Sequence, residues 1–484
     1  MSEDIGILSY GAYIPRRRLQ RGCIYAANSW FAPELKGSAK GERAIGNWDE
    51  DAITMGVEAA RDALTGWDRA TLGGLSLAST TLPYADRLNA GVIKEVLNLA
   101  DGVTALDGTG SMRAGSSALI QALKAASAGG PPQLCIAADL RKAPPASEAE
   151  LAFGDAAAAV LVGTGRPIAK FLGAHSVTVD FVDHFRATGV DFDYSWEGRW
   201  IRDEGYMNIA ANGLKSTLEA FGVAGKDIGR CAIAITSRGI PEALAKKAGV
   251  SAQALIDPLS AQVGDTGAAH PLLMLASAFE QAKPGEKILL VSFGQGIDVL
   301  LLEATAALAD LPARLGVAKS IARRKPDENY LRYLFHRGAL PLERGMRAEK
   351  DERQPATTLY RNRKSVLALV GGRCTKTGTV QFPKSDISVD QTSPGIGTQE
   401  DYPLAEKLAR IATYTADRLT YSPDPPTYYG MLDFEGGGRI TTEFADVDAG
   451  SVEVGRVMRM VFRIKAVDER RHFKRYFWKA APIE

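Results

Sequence analysis

Cysteine is scarce in this sequence: Cys23, Cys135, Cys231 and Cys374 are the only four in 484 residues, and no two lie near each other. That spacing encodes neither a disulfide framework nor a self-evident metal-binding pair. Surplus charge is also missing. With 58 basic and 57 acidic residues, the chain lacks the electrostatic attraction that dominates nucleic-acid binding, so no nucleic-acid partner is expected. No stretch approaches the roughly 18 consecutive apolar residues of a membrane helix. The opening Met1-Ser-Glu-Asp4 has no basic segment followed by an apolar run. The reading is a cytoplasmic protein without a membrane partner. Histidines number five, and His175, His184, His336 and His472 show no ligand spacing.

A hydrophobic fraction of 45% and a charged fraction of 24% are those of a globular chain, and its length calls for two or three domains. From residue 1 to 304, short β-branched runs alternate with alanine-rich helical stretches, which predicts an α/β layered domain. Ile5 to Tyr13, Gly74 to Ser79, Gln133 to Asp139, Cys231 to Thr236 and Lys287 to Phe293 read as strands. Asp51 to Leu64, Ala114 to Ala128, Pro241 to Ala248 and Pro271 to Ala282 read as helices. Two similar rounds predict an internal duplication. Residues 305–365 turn to Arg, Lys, Glu and Pro, as in Ala322-Arg-Arg-Lys-Pro-Asp-Glu-Asn329, and predict a charged surface linker with short helices such as Tyr330 to Phe335. After 366, strands separated by Gly, Pro and Asp turns (Ala412 to Thr420, Thr427 to Asp433, Gly438 to Phe444, Val454 to Arg463) predict a small β-barrel.

Several marks in the first 304 residues combine into a resemblance. Asp107-Gly-Thr-Gly-Ser-Met-Arg-Ala-Gly-Ser-Ser-Ala-Leu119 reads as a strand end, a tight turn and a helix start. Phe153-Gly-Asp155 precedes an alanine-rich strand, Gly264-Asp-Thr-Gly-Ala-Ala269 precedes a helix, Ser292-Phe-Gly-Gln-Gly296 closes the last strand turn, and Leu82-Pro-Tyr84 follows the third strand region. In their order and spacing they resemble the thiolase superfamily, in particular its 3-hydroxy-3-methylglutaryl-CoA (HMG-CoA) synthase and β-ketoacyl synthase III branch. The segment Asp180 to Tyr206 is similar to an insertion of archaeal-type HMG-CoA synthases. From about 330 onward the chain resembles the acyl-CoA-associated OB-fold domain with its zinc ribbon. Of the ribbon's first cysteine pair only Cys374 is present, Thr377 stands at the second position, and Asp386 to Gln391 has no cysteine. One cysteine cannot supply four ligands, so the zinc site is expected to be lost and no metal is expected.

The resemblance implies a duplicated α/β/α/β/α fold, a CoA thioester as substrate, no permanently bound cofactor, and assembly as a homodimer or as a hetero-oligomer with another thiolase-like subunit. In the synthases, a cysteine accepts the acyl group, a histidine polarises the second substrate and a glutamate moves the proton. The motifs align Met112 with that cysteine, Thr80 with the glutamate, Ser237 or Arg238 with the histidine, and Asp265 with a usual asparagine. A thioether cannot be deprotonated and attacks thioesters poorly. Met112 is then a packing residue of a substrate tunnel, or the mechanism has shifted to Ser111, which otherwise reads as a helix cap. His270 packs under its loop, or acts as acid, base or thioester-oxygen donor. Asp265 orients His270 or binds a substrate hydroxyl, unless it bonds only its own turn. Arg113 and Tyr84 line the pocket in this reading, the commoner fate of such an arginine being a solvated face, and Phe153-Gly-Asp155 is structural.

The sequence thus predicts an acyl-CoA-binding protein that acts on a carbon–carbon bond, by an HMG-CoA synthase-like or aldol/retro-aldol reaction, without the usual cysteine. The competing expectation is a catalytically silent subunit that supports an active thiolase-like partner.

Overall fold

The computed structural model describes residues 4–392 and 395–483, which divide into two units. The first runs through Ala339, apart from Trp48–Glu50 and Val92–Asn98, which group with Leu340–Glu484 in the second.

The first unit is built on one nine-stranded sheet. Its first half consists of β1 (Asp4–Tyr13), β2 (Gly74–Ala78), β3 (Thr104–Gly108), β4 (Gln133–Leu140) and β5 (Asp155–Gly165). The second half consists of β6 (Ala169–Thr178), β7 (Ile228–Ala234), β8 (Lys287–Phe293) and β9 (Gly296–Ala304). Outward from the β1–β6 seam the orders are β1-β5-β4-β2-β3 and β6-β9-β8-β7. In each half the first strand lies at the seam, the last beside it and antiparallel to both neighbours, and parallel strands follow. The expected duplication is thus present in the topology.

Local sequence explains the elements that carry the site. Asp51 caps α1 (Ala52–Ala63) by accepting from the Thr54 amide, while the Thr54 hydroxyl accepts from the Asp51 amide. Four successive alanines in β5, fully buried, let α1 and α4 (His270–Gln281) pack closely against that strand. Between α1 and α4 come α2 (Ala114–Ser127) and α3 (Ala211–Phe221). Ahead of α3, Ile201–Ala210 winds as a π-helix, a rare form that often marks functional sites.

The charged stretch after 304 does not run free. Residues 305–339 belong to the first unit, so the division falls at 339/340 rather than 304/305. Lys325–Asp327 pairs with Arg17–Gln20, and Tyr330 and Tyr333 join the core around Leu19, Ile24, Leu35 and Leu151. Three of its arginines are ion-paired: Arg332 with Asp327, Arg324 with Glu42, and Arg337 with the buried Asp155. Much of the charge that reads as solvated in the sequence is here held against carboxylates.

The second unit holds an antiparallel sheet of β10 (Ala409–Asp417), β11 (Thr427–Phe434), β12 (Arg439–Glu443), β13 (Val457–Asp468) and β14 (Phe473–Pro482), in the order β12-β11-β10-β13-β14. A bridge from Phe444 to Ala480 brings its two ends together, as a closed barrel requires. Trp478 is fully buried and donates its indole N–H to the Leu367 carbonyl at 2.7 Å.

Candidate functional site

The turn between β3 and α2 places Met112, half-buried, just before the helix. Ser111 Oγ donates to the Gly294 carbonyl at 3.0 Å and Arg113 Nε to the same oxygen at 2.9 Å. Arg113 also pairs with Asp298 at 2.7 Å and reaches Thr178 at 2.8 Å. A Cβ on residue 294 would lie 2.7 Å from Ser111 Oγ and 2.9 Å from the Arg113 amide, so only glycine admits this approach. Ser111, considered as a nucleophile, and Arg113, considered as a pocket residue, are therefore committed to clamping the turn onto the β8–β9 hairpin.

A second cluster is centred on Asp139, at the end of β4 and fully buried. Its carboxylate accepts from Ser79 Oγ (2.9 Å), from the amide and hydroxyl of Thr80 (2.7 and 2.9 Å), from the amide and hydroxyl of Thr81 (3.1 and 2.9 Å), and from the Ala268 amide (2.7 Å). Burial raises its pKa, and these donors only partly offset that. Thr80 thus spends its hydroxyl on Asp139.

Two residues on, Arg141 pairs with Asp265 at 3.1 Å and with Asp193 at 3.0 Å, its guanidinium 3.4 Å from the centre of the Phe153 ring. Asp193 also holds Arg186 at 2.7 Å, and Arg186 donates to the Thr80 carbonyl. Asp265 accepts from its own turn at the Gly267 amide, 2.9 Å away. Burial works to raise the Asp265 pKa, yet Arg141, His270 and that amide hold it below the ordinary carboxylate range. His270, at the start of α4 and 2% exposed, has Nδ1 3.1 Å from Thr266 Oγ1. Its Nε2 makes no hydrogen bond of good geometry among the described residues. Burial depresses the imidazole pKa, against the pull of Asp265 and the Pro258 carbonyl, so the ring is neutral near pH 7.

The structure therefore brings Thr80, Asp265 and His270 together around Asp139 and Arg141. The Met112 turn adjoins them, because a Cβ on Gly115 of α2 would collide with the Ala268 carbonyl. Two candidates lie on flanking segments, Ser237 directly after Thr236, whose Oγ1 is 3.4 Å from Asp265. Ser237 is exposed, its carbonyl capping the next helix at Ile240. Tyr84 lies under the Arg87 guanidinium on a loop that Asn89 ties to Asp107. Asp139, Arg141, Arg186 and Asp193 were missed. The signal was Asp139-Leu-Arg141, charged residues ending an apolar strand.

In the second unit, the ribbon position is knitted by hydroxyls: Cys374 Sγ lies 3.2 Å from Thr398 Oγ1, and Thr379 Oγ1 donates to Asp390 at 2.7 Å. No group of three or more His, Cys, Asp or Glu poised for a metal occurs among the described residues. No helix among them is long and apolar enough to cross a membrane.

Comparison with known proteins gives these marks a context. Residues 218–301 match the C-terminal family of 3-oxoacyl-[acyl-carrier-protein] synthase III, and residues 404–463 match the C-terminal OB-fold domain of ChsH2. A hydroxymethylglutaryl-CoA synthase of Archaeoglobus fulgidus is 30% identical over 340 residues, covering 69% of this chain and 98% of that protein. The Methanosarcina mazei enzyme of the same name is 29% identical over 349 residues, covering 70% and 99%. A solved structure of MvaS in complex with 3-hydroxy-3-methylglutaryl coenzyme A superposes with a TM-score of 0.58 at 18% identity, covering 70% of this chain and 93% of that one. The fold is accordingly thiolase-like, with an OB-fold region at its C-terminal end.

Proposed function

Because the chain belongs to the hydroxymethylglutaryl-CoA synthase family, we propose that it binds a CoA thioester and makes or breaks a carbon–carbon bond next to the thioester carbonyl without an acyl-enzyme. The observation that carries this reading is Met112 in the nucleophile turn, flanked by a serine whose hydroxyl is already committed to Gly294. The cysteines of the first unit offer no substitute: burial pushes the Cys135 and Cys231 thiols up to about 12 and the Cys23 thiol up to about 11, leaving almost no thiolate at neutral pH.

In the cleavage direction, neutral His270 takes the proton of a β-hydroxyl. The Cα–Cβ bond breaks, its electron pair forms the enolate of the shorter thioester, and a carbonyl compound leaves. The His270 imidazolium then returns the proton to the enolate at Cα. Asp265, held anionic by Arg141, steadies the imidazolium, and backbone amides of the site stabilise the enolate oxygen. Zinc and permanent cofactors have no part in this scheme, and the setting we propose is the cytoplasm.

The joint change at Thr80, Met112 and Ser237 equally supports a second reading, a catalytically silent subunit that sustains an active thiolase-like partner. The sheet ends at β3, where Leu106 is 66% exposed, and such an unpaired edge suits a second copy or a related subunit. The purified chain is to be incubated with 3-hydroxy-3-methylglutaryl-CoA. Turnover that His270→Ala abolishes supports the enzyme; turnover that appears only with a co-purifying partner and survives His270→Ala supports the silent subunit.

A further inference from the structure

We propose that the Tyr206 hydroxyl donates a hydrogen bond to the acyl oxygen of a CoA thioester bound between the Met112 turn and the Arg141–Asp265 pair. This rests on the carbon–carbon bond reading above and adds a residue that touches the substrate. Three observations converge on Tyr206.

The first is its backbone. Tyr206 lies in the middle of the π-helix Ile201–Ala210. Such a helix is less stable than an α-helix and persists when the displaced side chain has work to do. Gly205 allows the close seat of this segment: a Cβ there would stand 2.8 Å from the Phe181 ring and 3.2 Å from the Phe293 ring.

The second is position. The Tyr206 ring meets Phe293 edge to face, with centroids 5.1 Å apart. Phe293 precedes Gly294, whose carbonyl anchors Ser111 and Arg113 on either side of Met112. On the other side, Asp183, Asp265 and Arg141 are the charges near enough to act on the hydroxyl. Tyr206 thus bridges the two clusters of the site.

The third is an unspent proton. The ring is largely enclosed, yet its hydroxyl has no hydrogen-bond partner among the described residues, whereas Thr80, Ser111 and Arg113 are all occupied. A tyrosine O–H in such surroundings ordinarily finds a partner. Burial, then Asp183 and Asp265, raise its pKa well above the usual phenol range, with Arg141 opposing. The proton therefore stays on oxygen, which suits a donor to a carbonyl or enolate oxygen and not a base. No proton needs to be transferred.

The test uses the full chain with tyrosines carrying carbon-13 at the ζ position, and the signal lost in Tyr206→Phe identifies Tyr206. On titration with 3-hydroxy-3-methylglutaryl-CoA the Tyr206 signal is expected to move, and to stay in place with CoA alone. In turnover, Tyr206→Phe is expected to lower kcat about 100-fold with KM within about threefold, since the ring packing on Phe293 is kept. If the wild type turns over and Tyr206→Phe matches it, the donor role fails while the carbon–carbon reading stands. If the signal moves without any turnover, that reading fails while the donor contact stands. Thioester binding with an unmoved Tyr206 signal overturns the donor role outright, and absence of both binding and turnover overturns both.

Discussion

Single side chains decide what chemistry this protein can perform. Replacing Met112 by cysteine would place a half-exposed thiol just ahead of α2, where the helix N-terminus favours thiolate. Met112→Cys is expected to react with iodoacetamide at least about tenfold faster than Cys135 or Cys231, as followed by peptide mass spectrometry. Acyl transfer to a second substrate is not expected from it, because Thr80 and Ser237 still lack the acid–base groups of the synthases. At Asp139 the hydrogen bonds converge on one carboxylate. An amide in its place accepts fewer of them and turns a donor toward hydroxyls and amides, so Asp139→Asn is expected to cost about 3 kcal/mol in chemical denaturation. His270 gives a pH signature. The unfolded imidazole titrates near pH 6.5 and the folded one lower. Its contribution to stability is therefore complete above the unfolded value and declines as pH falls toward the folded one. Between about pH 7.5 and about pH 5.5, wild type should lose more stability than His270→Gln; equal losses would refute a neutral buried ring.

At the scale of elements, the sequence was readable where one pattern had one cause. The strands β1, β2, β4 and β8 and the helices α1, α2 and α4 follow from apolar periodicity and recognisable starts, within a residue or two of their observed ends. β6 escaped because Lys170 and His175 interrupt its apolar run, and β14 because Lys474, Arg475 and Lys479 read as solvated. Lys479 is in fact buried between Asp49 and Glu443, at 3.0 and 2.9 Å, and neither partner is near it in sequence. The same limit governs the site. Thr80, Asp265 and His270 could be singled out from their motifs. Asp139, Arg141, Arg186 and Asp193 gain meaning only when stretches far apart in sequence meet at one carboxylate or one guanidinium. Residues 305–339 give this a direct test. A chain ending at 304 loses Arg337 beside buried Asp155, and loses the amides of Leu315 and Gly316 that serve Asp62 at 2.7 and 2.9 Å. It is expected to be insoluble, whereas one ending at 339 should be soluble and fold cooperatively, as circular dichroism melting would show.

For the whole molecule, two units with separate cores predict that heating does not unfold the chain as one cooperative block. Calorimetry is expected to resolve two transitions. Trp478→Phe, which removes the indole donor to Leu367, should lower only the one belonging to the barrel, by about 1 kcal/mol of stability. A single transition that shifts as a whole would contradict this division. The duplicated sheet reaches further than stability. Thr80, Met112 and Asp139 come from one repeat, and Asp265, His270 and Gly294 from the other, so the site is assembled from both. Two identical repeats facing each other would have to carry every role twice over. Joined in one polypeptide, the two repeats need not match residue for residue, and one presents the thioether of Met112 while the other presents the imidazole of His270.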